Sequence, residues 1–299
     1  MEKKPDMVKD MMERLENGVK AIQNSEEYKA YLQTMSKFTN YSFYNSMLIH
    51  MQNPDATLVA GFRSWEKNFE RHVKKGEKGI RILAPVPVKK KKTESDGEDA
   101  LGKEETEETE IAYIRYRTVS VFDVSQTEGK PLPEFGSKEL SGDMEEFDAF
   151  FGAVSEFSPV GIRFDEIPGS AKGYYSNSNK EIVIRDGMSE AQTAKTMVHE
   201  VAHAWLHDRE EMASRGEKKN RSEIETEAES VAFVVSSHFG LDTSDYSFPY
   251  VAGWLKGKNL KDMYRSVETI RRFSAEMIQE ISRNMEQFRE EEMEQGRAR

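Results

Sequence analysis

The chain has 299 residues, room for two ordinary domains, and its 37% hydrophobic content is enough for packed cores even with 32% charged residues. It has no cysteine, which excludes disulfides and thiolate metal ligands and accords with the cytoplasm; no run reaches the ~18 apolar residues of a membrane span, and the first ten residues lack the apolar stretch of a signal peptide. A net charge of −11 argues against nucleic-acid binding only if it is evenly spread, and it is not.

Met12, Leu15, Val19 and Ile22 recur at helical spacing, and so do Tyr28, Leu32 and Met35 behind the start signal Ser25-Glu26-Glu27. Residues 8–38 are therefore expected to form two helices. Tyr41 to Met51, dense in aromatics, predicts a third, ended by Asn53-Pro54-Asp55. Leu58-Val59-Ala60 reads as a short strand and Phe62 to Phe69, with Trp65, as a short helix.

From Gly61 to Lys92 the charge inverts: eleven cations against three anions give +8 in a chain that totals −11. Gly76 and Gly79 punctuate a turn there, and strands are expected at Ile80 to Val88 and Ile111 to Val124. Between them, residues 93–110 are acidic and poor in apolar residues, an expected mobile insertion. It is either a solvated loop or an acidic strand that competes for the basic patch. Phe38, Tyr41, Phe43, Tyr44, Phe62, Trp65, Phe69, Tyr113 and Tyr116 interleave with the cations. Stacking platforms and phosphate-neutralising cations are what single-stranded nucleic acid requires, although aromatics also build cores and lysine runs are also merely solvated.

The run from Tyr44 to Val86, with Asn45, the Gly61-Phe62-x-x-Trp65 block and the Val73-Lys74-Lys75-Gly76-Glu77-Lys78-Gly79 turn, resembles the N-terminal domain of ArdC-like antirestriction proteins. The likeness covers about Lys29 to Thr127. It implies a domain that binds single-stranded DNA, paired with a C-terminal metallopeptidase-like domain and typically encoded on conjugative plasmids and other mobile elements. Arg63, Trp65, Lys67, Arg71, Lys74, Lys75, Lys78 and Arg81 are then the candidate DNA-binding residues. The acidic insertion departs from the family pattern.

Gly-, Pro- and Ser-rich sequence around 128–143 reads as a linker. Met144 to Phe157 predicts a helix, and Ile162 to Ile167 and Glu181 to Arg185 predict strands, with Gly173-Tyr174-Tyr175 leading into the second. A strand before a metal-binding helix commonly offers its edge to an extended peptide. Tyr174 or Tyr175 either hydrogen-bonds that substrate or packs in the core.

Thr193 to His207 contains His199-Glu200-Val201-Ala202-His203, an H-E-x-x-H motif. Residues four apart on a helix are separated by ~40° and ~6 Å, so both imidazoles can reach one metal ion, with Glu200 beside them as a base. Ser189-x-x-Gln192 reads as a capping box, and Ala194, Val198, Val201, Ala202 and Trp205 as a buried stripe. A catalytic zinc needs a third protein ligand and an open position. His207 is ~12 Å along the axis from His199, too far on a regular helix. The better source is a second helix, Ser222 to Phe239, where Glu225 and Glu229 lie four apart on one face and Glu227 points away. Against this, Ser222-x-x-Glu225 could be only a capping box.

His199 to His203 followed by Glu225-Thr226-Glu227-Ala228-Glu229 resembles the ImmA/IrrE-like zinc metallopeptidases, a likeness spanning about Phe147 to Met285. It implies His199, His203 and Glu225 as gluzincin-like zinc ligands, Glu200 as the catalytic base, and Glu229 in place of the group that supports a ligand. Phe248 to Leu255, with Trp254, reads as core. Leu260 to Phe288 predicts a last helix that buries Met263, Val267, Ile270, Phe273, Met277 and Ile281, before a frayed tail at 291–299.

The expected fold is α+β in two domains: residues 1–127, a mixed DNA-binding domain, and 144–290, a mostly helical zincin-like domain. The expected function is that of a single-stranded-DNA-binding, zinc-metallopeptidase-like antirestriction protein of a mobile element, with Zn2+ as cofactor and no membrane partner. A regulatory zinc endopeptidase placed on DNA by its first domain is the alternative; an adaptor with an inert zinc site is a third reading, which the intact Glu200 opposes.

Overall fold

The structure is a computed structural model, and it describes residues 11, 15, 17, 18, 25–90, 110–132, 144–243 and 260–297. In the first domain, helices α1 (Ser25–Lys37) and α2 (Phe43–Gln52) precede a three-stranded antiparallel sheet in the order β1 (Val59–Gly61), β4 (Glu110–Asp123), β3 (Ile80–Lys90). The side chain of Asn45 grips β3 twice, donating to the Leu83 carbonyl and accepting from the Leu83 amide, both at 2.9 Å. Two helical turns on, Gln52 does the same to Arg81. These amide clamps fix the helix against the strand, which gives Asn45 a structural reason to be there.

Helix α3 (Phe62–Phe69) buries Trp65, whose indole N–H donates to the Phe122 carbonyl at 2.9 Å. A second pairing, unforeseen in the sequence, joins β2 (Arg71–Val73) to β5 (Thr127–Gly129). The first domain therefore extends past residue 127 into what reads as linker. Arg71 secures this pair, donating to the Thr127 hydroxyl and to the carbonyls of Thr127 and Lys130. Gly76 turns the chain after β2 at φ +92°, a conformation side chains rarely adopt. Residues 93–109 of the acidic insertion lie outside the described residues, while Glu110 opens β4.

The second domain begins with α4 (Met144–Phe157) and a mixed sheet in the order β6 (Gly161–Asp165), β8 (Glu181–Arg185), β7 (Gly173–Ser176). The apolar run Ile182-Val183-Ile184 makes β8 the buried centre, parallel to β6 and antiparallel to β7. Thus Gly173-Tyr174-Tyr175 belongs to an edge strand of its own. Helices α5 (Glu190–Leu206), α6 (Arg209–Ser214), α7 (Arg221–His238) and α8 (Leu260–Arg297) complete the domain. Gly173 lets β7 approach α5 closely: a Cβ there would lie 2.8 Å from the Thr196 methyl.

Three expectations need correction here. Trp205 does not join the buried stripe of α5: it is 43% exposed, with its indole N–H on the Phe157 carbonyl. It sits in the last turn, with its ring against Phe157. Helix α8 runs on to Arg297, through the expected frayed tail, because that stretch is rich in the good helix formers Glu, Met, Gln and Arg. Helix α7 is capped by Asn220 reciprocally with Glu223, not by Ser222 with Glu225, which leaves Glu225 available for another task. Phe248 to Leu255 lies outside the described residues.

The two domains share one core. Tyr28 and Tyr31 of α1 are fully buried; the Tyr28 hydroxyl lies 2.8 Å from the Ser230 hydroxyl on α7, and that of Tyr31 2.9 Å from Ser46. His238 Nδ1 bonds the Ser36 carbonyl, and Arg271 of α8 donates to the Thr39 carbonyl. The helix that carries Glu225 and Glu229 is thus packed against the first domain.

Candidate metal centre and nucleic-acid face

The side chain of Ser189 accepts from the Gln192 amide and starts α5, as its sequence predicts; the Gln192 side chain does not complete the box, and instead bonds Lys172 and Thr196. Ten residues on, His199 and His203 stand on adjacent turns with their Nε2 atoms 3.0 Å apart. The Glu225 carboxylate faces both, 3.9 Å from His199 Nε2 and 3.7 Å from His203 Nε2. One ligand atom from each of the three lies within 4.8 Å of the others. Tetrahedral bonds of ~2.0–2.1 Å place ligand atoms ~3.3 Å apart, so the cluster has the span of a single divalent metal site. Two imidazoles and one carboxylate also suit such an ion chemically.

His199 Nδ1 lies 3.1 Å from a Glu229 oxygen. That contact leaves Nε2 for a ligand role, as a carboxylate behind a metal-binding histidine does. Glu200 is 7% exposed and accepts a hydrogen bond from the Tyr175 backbone amide of β7. Burial raises its pKa above the usual carboxylate range, against the pull of His199, which favours a base that must both take and return a proton. A polar cleft of about 370 Å³ opens beside it, lined by Lys172, Gly173, Gln192 and Lys195 and floored by His199 and Glu200.

Strand β7 is pinned from behind. Asp208 caps α6 and also accepts from the Tyr175 hydroxyl and the Lys180 ammonium, each at 2.6 Å. Those bonds, that of Lys180 foremost, hold the Asp208 carboxyl well below its ordinary range. So Tyr175 holds the strand in place from the core side, while Tyr174 is exposed. Sequence reasoning missed Asp208, although Asp followed by Glu210 and Glu211 is a helix-start signal. It also missed the roles of His207 and Glu227, taken up below.

Burial lowers the pKa of His203 to about 4, helped by His199 and His207 and partly opposed by Glu225. Burial would lower that of His199 as well, but the Glu229 bond and the charges of Glu200 and Glu225 outweigh it and raise it. His203 is therefore neutral at neutral pH, while His199 holds its proton to a higher pH than an ordinary imidazole does, and a metal must displace that proton. Metal affinity is expected to climb with pH up to the raised His199 pKa, by as much as about tenfold per unit for one proton released, and to level off above it. Competition against a chromophoric chelator between about pH 6 and 8 checks this; a flat profile would contradict the titration assigned to His199.

On the first domain, Arg63, Lys67, Lys74, Lys75, Lys78 and Arg81 are exposed, while Arg71 is half-buried in its bonds to β5. Lys74 reaches back to the Ser125 carbonyl. Trp65, buried, packs the domain and offers no stacking face. The exposed aromatics are instead Phe62, Tyr113 and Tyr116, between 49% and 56% exposed. Tyr113 shares one face of β4 with the exposed Arg115 and Arg117, and Tyr116 shares the other with Ile114.

The family model described as the N-terminal domain of anti-restriction factor ArdC matches residues 2–122, and that described as an IrrE N-terminal-like domain matches residues 160–247. The uncharacterized protein pXO2-81 of Bacillus anthracis is 26% identical over 318 residues, an alignment that takes in 95% of this chain and 52% of that protein. The chain thus spans about half the length of that relative. The crystal structure of the antirestriction ArdC protein from the R388 plasmid is similar in fold in its metal-free form, with a TM-score of 0.54 at 22% identity over 83% of this chain and 86% of that one. Its Mn(II)-bound form matches with a TM-score of 0.53 at 20% identity over 91% and 97% of the two chains.

Proposed function

We propose that this chain, an ArdC-like protein that joins an ArdC N-terminal domain to an IrrE-like domain, is an antirestriction protein that binds single-stranded DNA entering a cell and shields it. The observation that carries this reading is that the first domain exposes both cations and aromatic side chains. Lys67, Lys75 and Lys78 supply counter-charge for phosphates, and Tyr113 and Tyr116 supply faces on which bases stack. Arg115 and Arg117 on the same hairpin extend the cationic surface. No described helix is long and apolar enough to cross a membrane.

The metal of this reading is Zn2+, held by His199, His203 and Glu225. When bound, it supplies Lewis acidity to a carbonyl and to water. The chain's own contribution is proton handling: Glu200 takes a proton from water at the site and passes it to the leaving amine. The edge of β7 offers an extended peptide a strand to pair with, next to the polar cleft. Buried beside the ligands, Glu200 favours a second reading, a regulatory endopeptidase that the first domain places on DNA.

The test is a titration of the full chain with fluorescent oligonucleotides. Single strands are expected to bind more tightly than duplex of the same length, with log affinity falling by ~0.7 per phosphate contact for each decade of salt. Equal affinity for both forms would overturn the single-strand reading, and binding insensitive to salt would overturn the phosphate contacts on which it rests.

A further inference from the structure

Glu227 lies between the two acidic residues assigned to the metal centre, yet it faces the other way and its side chain is only 2% exposed. A buried carboxylate loses its hydration and persists only where partners compensate it. Glu227 has two: His207 Nε2 at 3.0 Å and the Lys219 ammonium at 2.7 Å from the same oxygen. His207 is equally buried, and its other nitrogen, Nδ1, lies 3.2 Å from His203 Nδ1. His203 in turn aims Nε2 at His199 and Glu225. A continuous file of polar atoms therefore runs from Lys219 through Glu227 and His207 to the metal centre.

Proton counting gives this file a direction. A neutral imidazole carries one N–H. His203 can present an Nε2 lone pair to a metal only with its proton on Nδ1. That N–H points at His207 Nδ1, which must then be the acceptor. His207 consequently carries its own proton on Nε2, where the Glu227 carboxylate accepts it. Lys219 balances the remaining charge.

We infer that His207 and Glu227 are positioning residues for the metal: they fix the ring and the tautomer of His203 and make its Nε2 a stronger donor. The inference rests on the metal-centre reading and goes beyond it. The two histidine ligands are supported differently. His199 leans on Glu229, a side chain 36% exposed, whereas His203 leans on an anion held out of water and relayed through a second imidazole. His207 closes the C-terminal end of α5, so the end of the motif helix itself carries the support.

The experiment compares the full wild-type chain with Glu227→Gln and His207→Phe. Zn2+ affinity is read by chelator competition, the absorption spectrum with Co2+ reports the ligand field, and thermal unfolding of the metal-free chains reports the fold. Glu227→Gln keeps the shape and an acceptor for His207 Nε2 and removes only the charge. It should lower Zn2+ affinity several-fold and shift the Co2+ bands. His207→Phe removes the acceptor for His203 and should lower affinity ~10–100-fold. If His207→Phe fails to fold, Glu227→Gln decides alone. A folded Glu227→Gln with unchanged Zn2+ affinity and an unchanged Co2+ spectrum overturns the relay and leaves the metal centre standing. A wild type that binds no Zn2+ overturns both.

Discussion

Reversing Lys67, Lys75 and Lys78 to Glu in the full chain is expected to weaken single-stranded DNA binding by a factor on the order of 10² or more at physiological salt. Each lost phosphate contact forfeits a counterion-release term of roughly half a decade at ~0.15 M salt for a single strand, and each new carboxylate adds repulsion. The loss should be the same for all sequences, because phosphates carry no base identity. The slope of log affinity against log salt should flatten by ~2. All three side chains are exposed, so the fold should be untouched, and the metal content should match wild type. Anisotropy titrations at several salt concentrations measure both quantities. An unchanged affinity with an unchanged slope would mean that these lysines are only a solvated face.

The full chain is needed for that test because of where the core lies. A fragment ending near residue 130 would uncover Tyr28, which is fully buried against α7, and the α2 face that meets α8. Nothing in the local sequence of α1 announces this. Its apolar spacing shows that one face is buried, and the partner of that face comes from some two hundred residues away.

The metal motif was legible because its geometry is local. Residues four apart on a helix meet whatever the rest of the chain does, so His199 and His203 could be paired from spacing alone. Glu225 was harder. Both Asn220-x-x-Glu223 and Ser222-x-x-Glu225 match a capping pattern, and only the observed start of α7 at Arg221 assigns the cap to the first. Glu227 was read as facing away from Glu225, and it does, but the direction "away" held a buried histidine and not solvent. That meeting depends on how α5 and α7 cross, which no periodicity encodes.

The basic stretch was legible as charge and not as surface. Trp65 stands among cations in the sequence, yet its indole is consumed inside the domain by the Phe122 carbonyl. Arg71 likewise bonds β5. The pairing of β2 with β5 joins two three-residue segments more than fifty positions apart, too short for any pattern to reveal. Tyr113 and Tyr116 are exposed on the β3–β4 hairpin, a tertiary fact that strand periodicity does not give.

The central claim, that the chain acts by guarding DNA and not by cutting protein, is tested most directly with Glu200→Gln. Glutamine keeps the shape of the side chain, and Glu200 is not among the residues whose atoms converge on the metal site. Zn2+ affinity should therefore stay close to wild type. The base is gone, so any peptide hydrolysis should fall by at least ~10². Lys67, Lys75 and Lys78, the side chains proposed to bind DNA, are untouched, so DNA affinity should hold. The measurement is protection of incoming DNA in a restricting host. Glu200→Gln is expected to protect as well as wild type. Protection that vanishes while zinc content and DNA affinity remain normal would contradict it and establish the peptidase reading in its place.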